Sequence, residues 1–183
     1  MKSRILLIAL IIGALPLNAT NARAANAARI DSDSQDALES LYASDPKAHA
    51  VGRHALAILV FPSITKEKTL HIDQRGEGTL FTAAHGPAAH FYTAAAMNDI
   101  LTGDEPYGYA LFFMNSESLQ LLHGHGGWAP GSETNLAIVG PGFSKPLNTT
   151  HPKGDIYAFL LNQTGPVSRL ILQRSNIRRI FPQ

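Results

Sequence analysis

Apolar positions fall in three regimes along the chain. Lys2 and Arg4 precede an apolar run from Ile5 to Leu17 that only Gly13 and Pro16 interrupt, and a small, polar stretch ending Ala22-Arg23-Ala24 follows. Charged, apolar and small-residue segments in that order make a secretory signal peptide, so residues 1–24 are expected to be removed by cleavage after Ala24. A spanning helix needs about 20 apolar residues, and this run is shorter and carries Pro16. The expected product is exported, either periplasmic or secreted. Residues 25–33 are polar without a period and read as a flexible leader. From Ser34, a good helix cap, Leu38, Leu41 and Tyr42 recur at helical spacing. Asp45 and Pro46 suit the N-cap and first position of a second helix, which runs to about Leu56 with Ala48, Val51 and Ala55 on one face.

After Ala57 the pattern becomes one of short β-prone runs punctuated by Gly and Pro. Ala57–Phe61, stopped by Pro62, is the first. Gly78–Ala83, Gly108–Met114, Leu136–Val139, Ile156–Leu161 and Val167–Leu172 follow. Ser116–Leu122 reads as a short helix capped by Ser116, with Leu119, Leu121 and Leu122 turned inward. No repeat or linker divides residues 34–183. The expected fold is a single α+β domain, helices first and a mainly antiparallel sheet after them.

Composition narrows the function. The 183 residues contain no cysteine, so no disulfide staples the domain and no thiol takes a lipid anchor. Of the 15 Lys and Arg, cleavage would remove Lys2, Arg4 and Arg23, leaving 12 basic residues against 14 acidic ones. That balance lacks the broad basic footprint of a nucleic-acid binder. Charge is segregated, with Asp31, Asp33, Asp36, Glu39 and Asp45 near the mature N-terminus and Arg169, Arg174, Arg178 and Arg179 near the C-terminus.

The motifs of covalent chemistry are missing. Of eight histidines the tightest pair is His123-Gly124-His125, two ligands where zinc takes three or four. Gly142-Phe143-Ser144-Lys145-Pro146 has proline where a nucleophile elbow needs its second glycine, and Gly76-Glu77-Gly78 lacks the third glycine of a dinucleotide turn. The expectation is a non-enzymatic chain with no cofactor and no metal. A metal-dependent enzyme built on the histidines is the third-ranked reading.

Seven segments in order carry a more specific signal: Ala57–Lys66 (AILVFPSITK), Gln74–Leu80 (QRGEGTL), Phe91–Ala96 (FYTAAA), Gly108–Met114 (GYALFFM), Gly127-Trp128, Asp155–Phe159 (DIYAF) and Leu172–Ile180 (LQRSNIRRI). Together they resemble the SYLF domain over about Leu38 to Ile180. The resemblance implies a lipid-binding module, commonly exported in bacteria, with N-terminal helices beside a strongly curved, barrel-like sheet. The chain departs from the family's glycine-rich pattern at Glu67–His71 and at Ala129–Thr134, both in candidate ligand-facing loops.

A lipid binder needs an apolar anchor beside cationic phosphate donors. Each buried methylene contributes about 0.8 kcal/mol and each near-surface Lys or Arg about 1 kcal/mol. Arg53, Lys66, Lys68 and Arg75 are the candidate donors, and Trp128 is either an interfacial anchor or a core aromatic. The expected ligand is an anionic phospholipid or acyl chain. The alternative is a protein-interaction or envelope-structural module that uses Arg174, Arg178 and Arg179 as its contact.

Overall fold

A computed structural model describes residues 18–68, 72–82, 86–96, 106–124, 126–130, 136–139, 155–161 and 175–182. Helices α1 (Asn18–Ser44) and α2 (Pro46–Gly52) lead into β1 (Ala57–Lys68), β2 (Ile72–Thr82), β3 (Gly86–Ala96) and β4 (Tyr107–Phe113). Helix α3 (Ser116–Gln120) runs on into a 3-10 turn, Leu121–His123; β5 (Leu136–Val139), β6 (Ile156–Leu161) and β7 (Ser175–Ile180) complete the order. The seven strands form one sheet in the order β5-β6-β4-β1-β2-β3-β7. Every pairing is antiparallel except β5 with β6, so the fold is α+β with a mixed sheet.

Helix α1 corrects the expectation of a flexible leader at residues 25–33. Ala22, Ala24, Ala25, Ala27 and Ala28 are the strongest helix formers, and the helix runs through them and past Ser34 without a break. Its buried stripe is Ile30, Ser34, Leu38 and Leu41, a helical period that a polar residue disguises. Ser34 fills an inward position because its hydroxyl donates to the Val60 carbonyl at 3.4 Å. Residues 22–25 are exposed and the buried stripe begins only at Ile30.

Helix α2 is shorter than the pattern suggested, but its Asp45 cap accepts from the Lys47 N–H at 2.8 Å, and Ala48, Val51 and Ala55 are buried. At α3 the cap is Asn115, whose side chain accepts from the Ser118 N–H at 2.8 Å, one residue earlier than Ser116.

Pro62 does not end β1. The strand bulges there, shifting register between Val60 and Thr65 against β2 and between Phe61 and Ile64 against β4. A bulge is where a residue without an N–H fits a central strand. The bulge drives β1 onto its neighbours, and glycine is what allows it. A Cβ on Gly78 would collide with the Val60 carbonyl, and one on Gly108 would lie 2.5 Å from the Phe61 oxygen. Strands β3 and β7 were not marked by the sequence pattern, and the Val167–Leu172 run lies outside the described residues.

Each face of the sheet has its own core. Leu38, Leu41, Ala48 and Val51 of the two leading helices pack on Ile58, Val60, Phe112 and Phe159. On the other face Leu59, Phe61, Tyr109, Leu111, Phe113, Ile156 and Ile177 lie under Leu122 and Trp128. Among the described residues no helix is long and apolar enough to cross a membrane.

Candidate functional site

The sheet register separates the residues nominated for lipid binding. Arg53 is exposed at the C-cap of α2, just before β1 begins. Lys66 and Lys68 close the far end of that strand, and Arg75, half-buried on β2, pairs with Thr65 there. At about 3.3 Å of rise per residue, roughly 30 Å of strand lies between Ala57 and Lys66, so Arg53 and the other three occupy opposite ends of the sheet. The side chains of Lys66 and Lys68 lie outside the described residues. In the register their segment also carries Glu67 opposite Asp73.

Trp128 is the core aromatic of the two readings. It is 6% exposed, its ring centroid lies 5.9 Å from that of Phe113, and its backbone exchanges two 2.7 Å hydrogen bonds with Ile177 on β7. The neighbouring Gly127, at φ +81°, makes the turn that a side chain would strain. As an interfacial anchor Trp128 is misplaced.

The apolar surface suited to an interface lies elsewhere. Among the described residues the exposed large hydrophobic side chains are Leu56, at 47%, and Phe181, at 73%. Leu56 precedes β1, its N–H bonded to the Phe113 carbonyl at 2.8 Å. Phe181 follows β7, whose Ile180 pairs with His90 on β3. The antiparallel ladder puts the start of β1, the end of β2, the start of β3 and the ends of β4 and β7 together, so both residues lie at one end of the sheet. Each has an arginine nearby. Arg53 and His54 are exposed just ahead of Leu56, and the Arg179 guanidinium lies 5.4 Å over the Phe181 ring. Arg178, also exposed, lies 5.1 Å over Tyr92. Glu117, exposed on α3, and half-buried Asp155 are carboxylates at the same end. Sequence reasoning passed over Leu56 because it begins an apolar run whose other members are core, and Phe181 because Arg178-Arg179 breaks the alternation of β7.

Two polar clusters also stand out. Between α1 and the sheet, Asp31 Oδ1 accepts from the Thr79 hydroxyl at 2.8 Å and lies 2.9 Å from His90 Nε2. Arg29 bonds Asp33 at 3.1 Å and Glu77 at 3.2 Å. The Thr79 hydroxyl donates to the carboxylate rather than to the imidazole, so the three groups do not form the nucleophile, base and orienting acid of a relay. On the opposite face Tyr107 donates to Gln74 Oε1 at 2.5 Å and Tyr109 to Thr93 Oγ1 at 2.8 Å. Burial raises the pKa of both tyrosines well above the usual phenol value and keeps them neutral. Gln74 Nε2 and Trp128 Nε1 are buried without a partner. Among the described residues no group of three His, Cys, Asp or Glu is placed to hold a metal; His123 is exposed and His125 lies outside them.

No protein-family model matches the chain, and no curated protein matches it.

Proposed function

We propose that the chain is an exported, non-catalytic lipid-binding module of the SYLF type, and that its lipid site is the sheet end carrying Leu56 and Phe181. The observation that carries this reading is the placement of those two exposed apolar side chains at one sheet end, with Arg53 three residues before the first and Arg179 over the ring of the second. Apolar anchors next to guanidinium groups are what an anionic lipid interface rewards. The signal-peptide pattern of residues 1–24 supports a product outside the cytoplasm, and the exposed stretch 22–25 of α1 can be cut without touching the stripe that begins at Ile30. A curled, barrel-like sheet belongs to the same reading. Tyr109 on β4 bonds Thr93 on β3 across β1 and β2. In a flat sheet those strands stand three spacings apart, about 14 Å, farther than side chains standing upright on such a sheet would reach.

The test is co-sedimentation of the mature chain with phosphatidylglycerol and with phosphatidylcholine vesicles at low and high salt. Binding should favour the anionic vesicles and weaken as salt rises, since the Debye length is about 8 Å at physiological ionic strength. Absence of binding to either vesicle at low salt would overturn the proposal. The second reading, a protein-interaction or envelope-structural module, would then take precedence, because β7 is a sheet edge that exposes Arg178 and Arg179.

A further inference from the structure

Resting on that lipid-binding reading, we infer that the chain docks on lipid as a surface, through the Leu56 and Phe181 end of its sheet, and does not take a lipid molecule into its core. A protein that carries a lipid must offer the acyl chains an apolar cavity. Among the described residues the apolar side chains on both faces are spent on each other. On one face Leu59, Phe61, Tyr109, Leu111, Phe113 and Ile156 are wholly buried, and on the other Val60, Ala110 and Phe112 are as well. Among the described residues the large apolar side chains left in water, Leu56 and Phe181, are at the rim. Its geometry suits a plane. Leu56 leaves the sheet at the start of β1 and Phe181 at the end of β7, two strands that β2 and β3 separate. Two anchors set along one end of the sheet can enter one interface together.

Charge points the same way. Arg53 is exposed three residues before the first anchor, and the Arg179 guanidinium lies over the ring of the second, each a donor type that meets phosphate. Docked this way, the strands run from the lipid surface toward the solvent. Lys66, Lys68 and Arg75, at the opposite end, would stand about 30 Å of strand away from the headgroups. Their charge would be screened over several Debye lengths.

The inference is tested with full-length mature protein, phosphatidylglycerol vesicles and a fluorescent phospholipid whose movement between vesicles is followed. L56S and F181S should each weaken vesicle partition, by about fivefold for Leu56 and about tenfold for the more exposed Phe181. Their effects should multiply in the double variant, while K66A/K68A should bind as the parent does. Bound to vesicles, the parent protein should show slowed amide exchange at residues 53–56 and 179–181. It should not speed transfer of the labelled lipid. Both anchors are exposed, so near-parental unfolding temperatures are expected. If a variant nevertheless fails to fold, the exchange map of the parent decides alone. Lipid carried into the supernatant as a soluble complex would overturn the inference and leave lipid binding standing. So would protection confined to the Lys66 end. No interaction with vesicles or with the labelled lipid would remove both.

Discussion

The two faces of the sheet solve the same problem in different ways. Under α1 and α2 the side-chain pairs are ionisable and half wet, Asp31 with Thr79 and His90 and Arg29 with Asp33 and Glu77, and the buried Ser34 to Val60 carbonyl bond is the neutral exception. On the other face they are neutral and dry, Tyr107 to Gln74 and Tyr109 to Thr93. Water near α1 screens charges and makes them cheap to place, but it also makes each contact weak. Inside, an unpaired hydroxyl would cost its full desolvation, so both tyrosine hydroxyls are paired, although Gln74 Nε2 and Trp128 Nε1 are not. The inner face should therefore dominate stability and the helix face should tune it.

The sharpest way to break that contrast is at the bulge, which both faces depend on. Gly78→Ala puts a methyl onto the Val60 carbonyl and against the Phe61 ring, one backbone and one buried. Neither can yield, so a loss of about 3 kcal/mol or more is expected, read by chemical denaturation. A variant of parental stability would mean that β1 can straighten past Pro62.

Next in size is Tyr109→Phe. It keeps the ring packed 5.0 Å from Phe61 but leaves the Thr93 hydroxyl without its donor. A buried hydroxyl left unpaired costs about 2 kcal/mol. The same residue gives a pH signature. Burial raises the Tyr109 and Tyr107 pKa values in the folded state, so both phenols stay protonated where the unfolded chain begins to ionise, near the ordinary value of about 10. Their contribution is fully present below pH 10 and is lost as pH rises above it. Alkaline titration of unfolding should show a steep decline above pH 10 that is shallower in Tyr109→Phe. An identical slope in both would take the tyrosines out of the alkaline transition.

What the sequence pattern alone reveals follows from the same difference. Leu136–Val139 and Ile156–Leu161 were placed to the residue, because a buried strand with no polar member has a plain signature. Strand β3 escaped notice because Gly86, Pro87, His90 and a run of alanines carry it, and its pairing with β2 and β7 is what makes it a strand. The first turns of α1 escaped because Ser34 occupies a core position that only the Val60 carbonyl explains. The candidate site was half legible. Arg53 sits in it, but linear proximity grouped Arg53 with Lys66 and Lys68, and only the length of β1 separates them. Trp128 could be read either as an interfacial anchor or as a core aromatic because glycines precede it, and Gly127 serves the turn that folds it inward.

On the helix face Asp31→Ala removes the acceptor shared by Thr79 and His90. Thr79 is buried, but Asp31 is 28% exposed and its removal admits water to both donors, so the cost should be about 1 kcal/mol, half that of Tyr109→Phe. Thermal unfolding checks it. A cost above that of Tyr109→Phe would reverse the ranking of the faces.

The smallest effect is expected from Arg29→Ala. Its guanidinium joins Asp33 on its own helix to Glu77 on β2, at 3.1 and 3.2 Å, but the side chains involved are 56%, 51% and 40% exposed. Pairs this wet contribute about half a kcal/mol or less, because water stabilises the separated charges and holding a long side chain costs entropy. Alanine also has the higher helix propensity, which offsets part of the loss. The net change should be within about 0.5 kcal/mol at low salt and fade further as salt rises. Asp31→Ala should keep most of its effect in salt, since one of its two hydrogen bonds comes from a neutral hydroxyl. Measuring both variants across ionic strength separates the screened part of the helix clamp from the hydrogen-bonded part. If Arg29→Ala costs as much as Asp31→Ala and the loss does not respond to salt, the pair is drier than its exposure implies, and the division between a wet face and a dry one fails at its edge.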